Sequence, residues 1–225
     1  MAAFITRDEL ARLEGRTLQA GKYFRPEIRA CKHEGREIVV KDCACMQPFI
    51  RFIMGRRSAN REVRIYRRLQ GIEGIPAFLG VIDRDAFAIE FVEGVTLARQ
   101  LGPERLRSAL ADLERVIHAM HERRVVHLDL KQKRNIMVRK DDSVRILDFQ
   151  SAFYLGRGLL KPRLFTFLSR RDLAGLIKFK AKYIPETLSP SEVKFYKKDR
   201  LLGRLWPFNH LVRWLRKLFS GSKED

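Results

Sequence analysis

The stretch VVHLDLKQKRNIMV, residues 125–138, brings a carboxylate (Asp129) and a carboxamide (Asn135) to the edges of two apolar runs. Lys131, Lys133 and Arg134 lie between them. A second carboxylate, Asp148, follows the apolar run VRIL. Far upstream, Lys41 sits inside the strand-like EIVVKD, and Glu62 falls on an otherwise apolar helical stripe. A charge on such a stripe needs a partner, because burying it alone is costly. Oxygen donors interspersed with cations suit an anionic, phosphate-bearing ligand. The same Asp and Asn are also ordinary turn residues, so the elements that carry them have to decide.

Those elements belong to a chain of 225 residues, 45% hydrophobic, which suffices for one domain or a small bilobal one. A formal net charge of +19, spread along the chain, excludes a neutral and indifferent surface. It favours phosphate-rich partners: nucleotides, nucleic acid, acidic glycolipid or anionic membrane. Cys31, Cys43 and Cys45 are too few for a disulfide scaffold of this length. Cys43 and Cys45 could share a strand face, but no second ligand pair with zinc spacing follows, so packing is the expectation. The N-terminal MAAFITRDEL meets charge too early for a signal peptide. No apolar run reaches the ~18 residues that span a bilayer, and a cytoplasmic chain is expected.

EIRACK (27–32) and EIVVKD (37–42) predict two strands joined at Gly35. A helix is predicted over 60–69, where Glu62, Ile65, Tyr66 and Leu69 share one face. FLGVID (78–83) and AFAIEFV (86–92) predict two more strands, after which VEG breaks the pattern. From Pro103, a long helix carries Leu106, Leu110, Leu113, Ile117 and Met120 on one stripe. NIMV and VRILDF predict two strands about the polar turn RKDDS. The remainder reads as largely helical, including 171–183, with loops near 156–162 and 185–190.

That order of elements, with those residues in those places, resembles the protein-kinase-like phosphotransferases. Val39-Val40-Lys41 is similar to the family's strand-lysine element, and Glu62 matches its helix partner. His127-Leu128-Asp129-Leu130 matches H-R-D-L, with Asn135 after it, and Asp148-Phe149-Gln150 stands where D-F-G belongs. The resemblance implies an α+β, bilobal fold. Its N-lobe would be a small antiparallel sheet plus one helix over 1–92, and its C-lobe a reduced, mainly helical unit over 93–203. A basic helix and tail would follow over 204–225.

The resemblance also implies ATP and Mg2+ as cofactors. Lys41 would reach the phosphates and Glu62 would fix that lysine, with Glu90 and Val92 as nucleotide contacts at the hinge-like VEG. Asn135 and Asp148 would hold magnesium, and Asp129 would orient the acceptor hydroxyl and take its proton. Lys131 would offset charge on the transferred group. Asp172 is expected to brace the catalytic loop and His127 to hold it through its ring nitrogens. His118 and His121 are expected at the surface or a helix end.

Three departures stand beside the match. Asn135 falls six residues after Asp129 where the motif has five, which leaves Asn135 or Arg134 for that place. Asn135 is preferred because it opens the next strand. Gln150 replaces Gly, which argues against a freely flipping segment. G-x-G-x-x-G is absent, with Gly15 and Gly21 widely spaced, so the roof over the phosphates must be of another kind.

Only about 70 residues follow LDFQSA, and none resemble A-P-E, so the protein-substrate platform looks trimmed. The compact pattern looks like the RIO-type, aminoglycoside-phosphotransferase and lipopolysaccharide-core (Kdo and heptose) kinases. The expected reaction is γ-phosphoryl transfer to a hydroxyl, first on a lipopolysaccharide core sugar at the cytoplasmic membrane face. A RIO-type protein serine/threonine kinase is the alternative acceptor class. A non-catalytic scaffold or RNA-binding protein is the second alternative, and nucleic acid is not excluded as a partner. PFIRFIMGRR (48–57) and WPFNHLVRWLRKLF (206–219) both mix large apolar residues with cations. The second is read either as a helix in an anionic headgroup layer, over 204–219, or as a terminal helix docked on its own domain.

Overall fold

The computed structural model describes residues 4–156 and 161–205, with the side chains of 161 and 199–205 excepted. Thr6 caps the first helix, α1 (Arg7–Arg12), accepting from the Glu9 N–H while the Glu9 carboxylate accepts from the Thr6 N–H. This T-x-x-E box was legible in the sequence but was not part of the expected fold. Arg7 then ties α1 to the sheet through Asp42 and Asp83. β1 (Gly15–Gln19) was also unexpected, because all five of its residues are exposed and no apolar alternation marks it.

β2 (Glu27–His33) and β3 (Arg36–Asp42) form the expected hairpin, with Glu34 and Gly35 both at positive φ. Next come α2 (Pro48–Ile50), a π-type turn at Arg51–Gly55, and α3 (Arg56–Leu69), a helical stretch that starts well before the predicted 60–69. β4 (Phe78–Val81) and β5 (Ala86–Glu90) complete a five-stranded antiparallel sheet in the order β1-β2-β3-β5-β4. Lys41 is therefore on the central strand, opposite Ile28 on one side and Phe87 on the other.

Strand alternation sorts the sheet's side chains between two faces. Ile38, Val40, Ala86 and Ala88 pack with Ile5 and Leu10 of the N-terminal segment. Lys41 and Phe87 face the other way, toward α3, whose Glu62, Ile65, Tyr66 and Leu69 are all buried as their spacing predicted.

The C-terminal part begins with β6 (Val95–Thr96) and α4 (Pro103–Glu122). All five residues of the predicted α4 stripe are at most 2% exposed. β7 (Val125–Val126), β8 (Ile136–Val138), β9 (Val144–Ile146) and β10 (Phe153–Tyr154) are short strands flanking the polar segments. β6-β8-β9 form one small sheet and β10-β7 another. α5 (Lys161–Tyr183) and α6 (Pro190–Leu205) follow. The fold is bilobal α+β, yet one apolar cluster runs unbroken from α3 and Phe87 through α4 and β7–β9 to Phe149 and α5.

The cysteines are free, with Cys31 and Cys43 buried and Cys45 exposed. Cys43 and Cys45 lie in the turn after β3, not on a shared strand face. Among the described residues no helix is long and apolar enough to cross a membrane. The 206–219 part of the helix expected over 204–219 lies outside the described residues.

Gly74 illustrates how tightly the lobes are joined. Its φ is +102°, a Cβ there would lie 2.2 Å from Val116 Cγ2 of α4, and its carbonyl accepts from the Ile146 N–H at 2.9 Å. Gly74→Ala is expected to destabilise the protein by at least about 1–3 kcal/mol from backbone strain alone, read as a lower urea midpoint.

Candidate active site

The site is assembled from three separated segments. Central strand β3 presents Lys41, whose Nζ lies 2.7 Å from Glu62 Oε2 on α3 and 3.1 Å from Asp148 Oδ1 after β9. Burial works against the Lys41 charge, but the two carboxylates more than offset it and hold its pKa above the usual lysine range. Burial likewise pushes Glu62 up, against the pull of Lys41. For Asp148, burial is outweighed by Lys41, which holds the carboxyl below its ordinary value. The compact reading is an ammonium clamped between two carboxylates.

Asp148 adopts the left-handed conformation (φ 63°), which turns its carboxylate to Lys41 while Phe149 drops into the core. Phe149 packs edge-on against Tyr66 at 5.1 Å and against His127 at 4.9 Å. Gln150 is exposed in the short turn Phe149–Ser151, and its carbonyl accepts from Arg61 of α3 at 2.6 Å. Sequence reasoning missed Arg61, because nothing local distinguishes it from the other arginines of α3.

The loop around Asp129 hangs from one buried carboxylate. Asp172 of α5, fully buried, accepts from the His127 N–H at 2.8 Å and the Leu128 N–H at 2.7 Å. Two N–H groups would otherwise point into the core unsatisfied. Burial lowers the His127 pKa, against the pull of Asp172. One tautomer satisfies both of its nitrogens: Nε2–H donates to the Leu147 carbonyl (3.0 Å), and Nδ1 accepts from the Asp129 N–H (3.3 Å). The structural expectation for Asp172 and His127 thus has direct geometry. His121 lies in the last turn of α4, the helix end expected for it, and its Nε2 lies 3.0 Å from Asp172 Oδ2 with the side chain only 11% exposed, so it is not a surface residue. That partner is 51 residues away, beyond the reach of local pattern.

Asn135 is 2% exposed, and its Nδ2 donates to both the carbonyl and the Oδ2 of Asp129 at 3.1 Å. The extra residue in the loop is absorbed by two turns, from Gln132 N–H to Asp129 O and from Asn135 N–H to Gln132 O. Arg134 is left exposed at the cleft wall, so Asn135 and not Arg134 reaches Asp129. The Leu147 N–H donates to the Asn135 carbonyl at 2.8 Å, which sets Asp148 beside Asn135. Lys178 of α5, also missed, donates to the Lys131 carbonyl at 2.7 Å. Gly175 leaves room for this approach, since a Cβ there would lie 2.9 Å from the Leu130 carbonyl carbon.

These groups face a cleft of about 940 Å³ between sheet and helical lobe. Lys41, Glu62, Glu90, Val92, Asn135 and Asp148 all line it, whereas Asp129 and Lys131 do not; Asp129 adjoins it through Asn135. Glu90 is tied to Ala77 twice: its Oε2 accepts from the Ala77 N–H at 3.0 Å and its own N–H donates to the Ala77 carbonyl at 2.9 Å. The Val92 N–H has no backbone partner among the described residues and offers a donor at the cleft wall. In place of a glycine-rich roof, the β1–β2 turn closes on itself through Lys22 and Arg25, and Phe24 and Arg25 overhang the cleft.

The residues fit a nucleotide–magnesium ligand. Among the described residues no three His, Cys, Asp or Glu converge on one point. A divalent cation would therefore rely on phosphate oxygens and water beside Asn135 Oδ1 and Asp148, which is how magnesium is usually held. The sequence matches the family model described as Protein kinase domain over residues 27–167. Among curated proteins no match is found.

Asp172→Ala would strand two buried N–H groups of the loop. A loss of about 2–5 kcal/mol in unfolding free energy is expected, measured by urea denaturation, with Asp172→Asn intermediate.

Proposed function

Because the chain belongs to the protein kinase domain family, we propose that it transfers the γ-phosphoryl group of ATP to a lipopolysaccharide-core sugar hydroxyl at the cytoplasmic membrane face. The observation that carries the transfer chemistry is the clamp of Lys41 by Glu62 and Asp148 beside the Asp129–Asn135 pair. Bound MgATP supplies the phosphoryl group and the metal charge that screens it. Lys41 offers a fixed cation to the phosphates, and its clamp avoids the reorganisation that a mobile lysine would need. Asn135 and Asp148 supply oxygen ligands for the metal. Asp129, aligned by Asn135, accepts the hydroxyl proton as the new O–P bond forms and the bond to the leaving diphosphate breaks. Lys131 offsets charge on the group in transit.

Two features support a small acidic acceptor. α5 begins at Lys161, thirteen residues after Asp148, which leaves little chain for a peptide-binding platform. Positive charge is concentrated behind the loop: burial, then Lys131 and Lys182, hold the Lys178 pKa below the usual lysine range. A protein serine/threonine acceptor of the RIO type is the second reading, favoured by the Asp129-Leu130-Lys131 order.

Transfer of labelled phosphate from ATP to a lipopolysaccharide-core extract, run beside a generic protein substrate, separates the two acceptors. Asp129→Asn is expected to lower transfer by about 10²–10⁴-fold while leaving ATP binding and the melting temperature unchanged. Undiminished transfer would remove Asp129 from the chemistry. Biological function retained by the inactive variant would favour a scaffold.

A further inference from the structure

The segments beside the open side of the cleft carry a surface that phosphoryl transfer does not use. In the β1–β2 turn, Tyr23 and Phe24 are 67% and 69% exposed; in the stretch leading into α3, Phe49, Phe52 and Met54 are 72%, 65% and 61% exposed. Single exposed apolar residues are common, but adjoining ones mark interaction sites. Here they adjoin. The Gln47 N–H donates to the Tyr23 carbonyl at 3.2 Å, which joins the turn to the start of α2. Phe24, Ile53 and Met54 also share the wall of one pocket of about 340 Å³. The π-type turn at Arg51–Gly55 helps create this face: Gly55 is buried against Cys43 and Met46 while Phe52 and Met54 are left outside.

The charge around these side chains has one sign. Neither 15–26 nor 43–61 contains an Asp or Glu, although both contain several Lys or Arg. Lys22, Arg25 and Arg57 are exposed and have no acidic partner among the described residues. Arg56 lies 5.9 Å from the Phe52 ring and pairs with Asp85. Exposed aromatic side chains inside a cationic border match the boundary between headgroups and acyl chains of an anionic bilayer.

We propose that this face is a peripheral membrane-binding surface, on which Tyr23, Phe24, Phe49, Phe52 and Met54 enter the lipid boundary and Lys22, Arg25 and Arg57 pair with anionic lipid phosphates. The inner wall of the shared pocket includes Lys41, Glu62 and Gln150. Seating this face on a bilayer brings the cleft close to acceptors held in the same membrane. The surface deepens the reading of a lipid-linked acceptor, but its test needs neither ATP nor acceptor.

Flotation of the full chain with phosphatidylcholine vesicles, with or without about one-third phosphatidylglycerol, reads the binding directly. The protein is expected to float with the anionic vesicles and not the neutral ones. Combined Phe49→Ser, Phe52→Ser and Met54→Ser is expected to weaken partitioning about tenfold or more, as is combined Lys22→Glu and Arg57→Glu. Both variants should keep the parent's melting temperature and ATP affinity, since the altered side chains are exposed. A third variant, Leu211→Ser with Leu215→Ser and Leu218→Ser, tests the C-terminal segment separately and is expected to bind like the parent. Failure of the parent to bind, equal binding to neutral vesicles, or parent-like binding by both surface variants would each overturn the proposal. So would a third variant that alone abolishes binding. A null result for phosphate transfer leaves the vesicle result standing, so the two readings fail separately.

Discussion

A buried ammonium cannot stand alone, and much of this molecule follows from how Lys41 is satisfied. Its two partners come from α3 and from the segment after β9, so one charge ties the sheet, its covering helix and the helical lobe together. Removing one member of such a group typically costs about 3–5 kcal/mol, because the others stay buried and unpaired. The group is also unbalanced: two carboxylates face one ammonium, leaving a net negative charge where a divalent cation would sit. Asp148 is the most exposed of the three, with a side chain 39% accessible against 3% for Glu62. The open end of the clamp thus faces the cleft, where phosphate and metal would approach.

A second buried charge organises the loop below. Asp172 receives two backbone N–H groups and a histidine, and Gly175, three residues on, lets the helix backbone come close to Leu130. His127 then links the loop to Leu147, one residue before Asp148. Main-chain contacts thus help to position Asp129, Asn135 and Asp148, beside the side-chain bonds from Asn135 to Asp129 and from Lys41 to Asp148. The extra residue between Asp129 and Asn135 is taken up by the turn at Lys133–Asn135. Phe149 lies between Tyr66 and His127, and the Gln150 carbonyl accepts from Arg61.

The elements that sequence reasoning found share one property: a face that is buried and therefore periodic. The α4 stripe, the Glu62 stripe of α3 and the β2–β3 hairpin were legible because burial imposes spacing. β1 is exposed along its whole length and left no such trace. α1 is short and held chiefly by its cap and by Arg7, whose partners Asp42 and Asp83 lie far along the chain. The helical stretch before α3 was hidden because a π-type turn breaks the period at the point where its apolar residues turn outward.

The sequence by itself determined the chemistry available: which residues could carry a proton, hold a cation or bind phosphate, and in what order the chain delivers them. Order and type are local properties, written in strand and helix periodicity and in the H-x-D and D-F pairs. Only the tertiary structure decided that Asn135 rather than Arg134 meets Asp129, that His121 reaches Asp172, and that Arg61 and Lys178 hold the two loops. The reason is physical. These contacts join segments dozens of residues apart, and a hydrogen bond depends on angle and distance in space, which chain spacing does not encode.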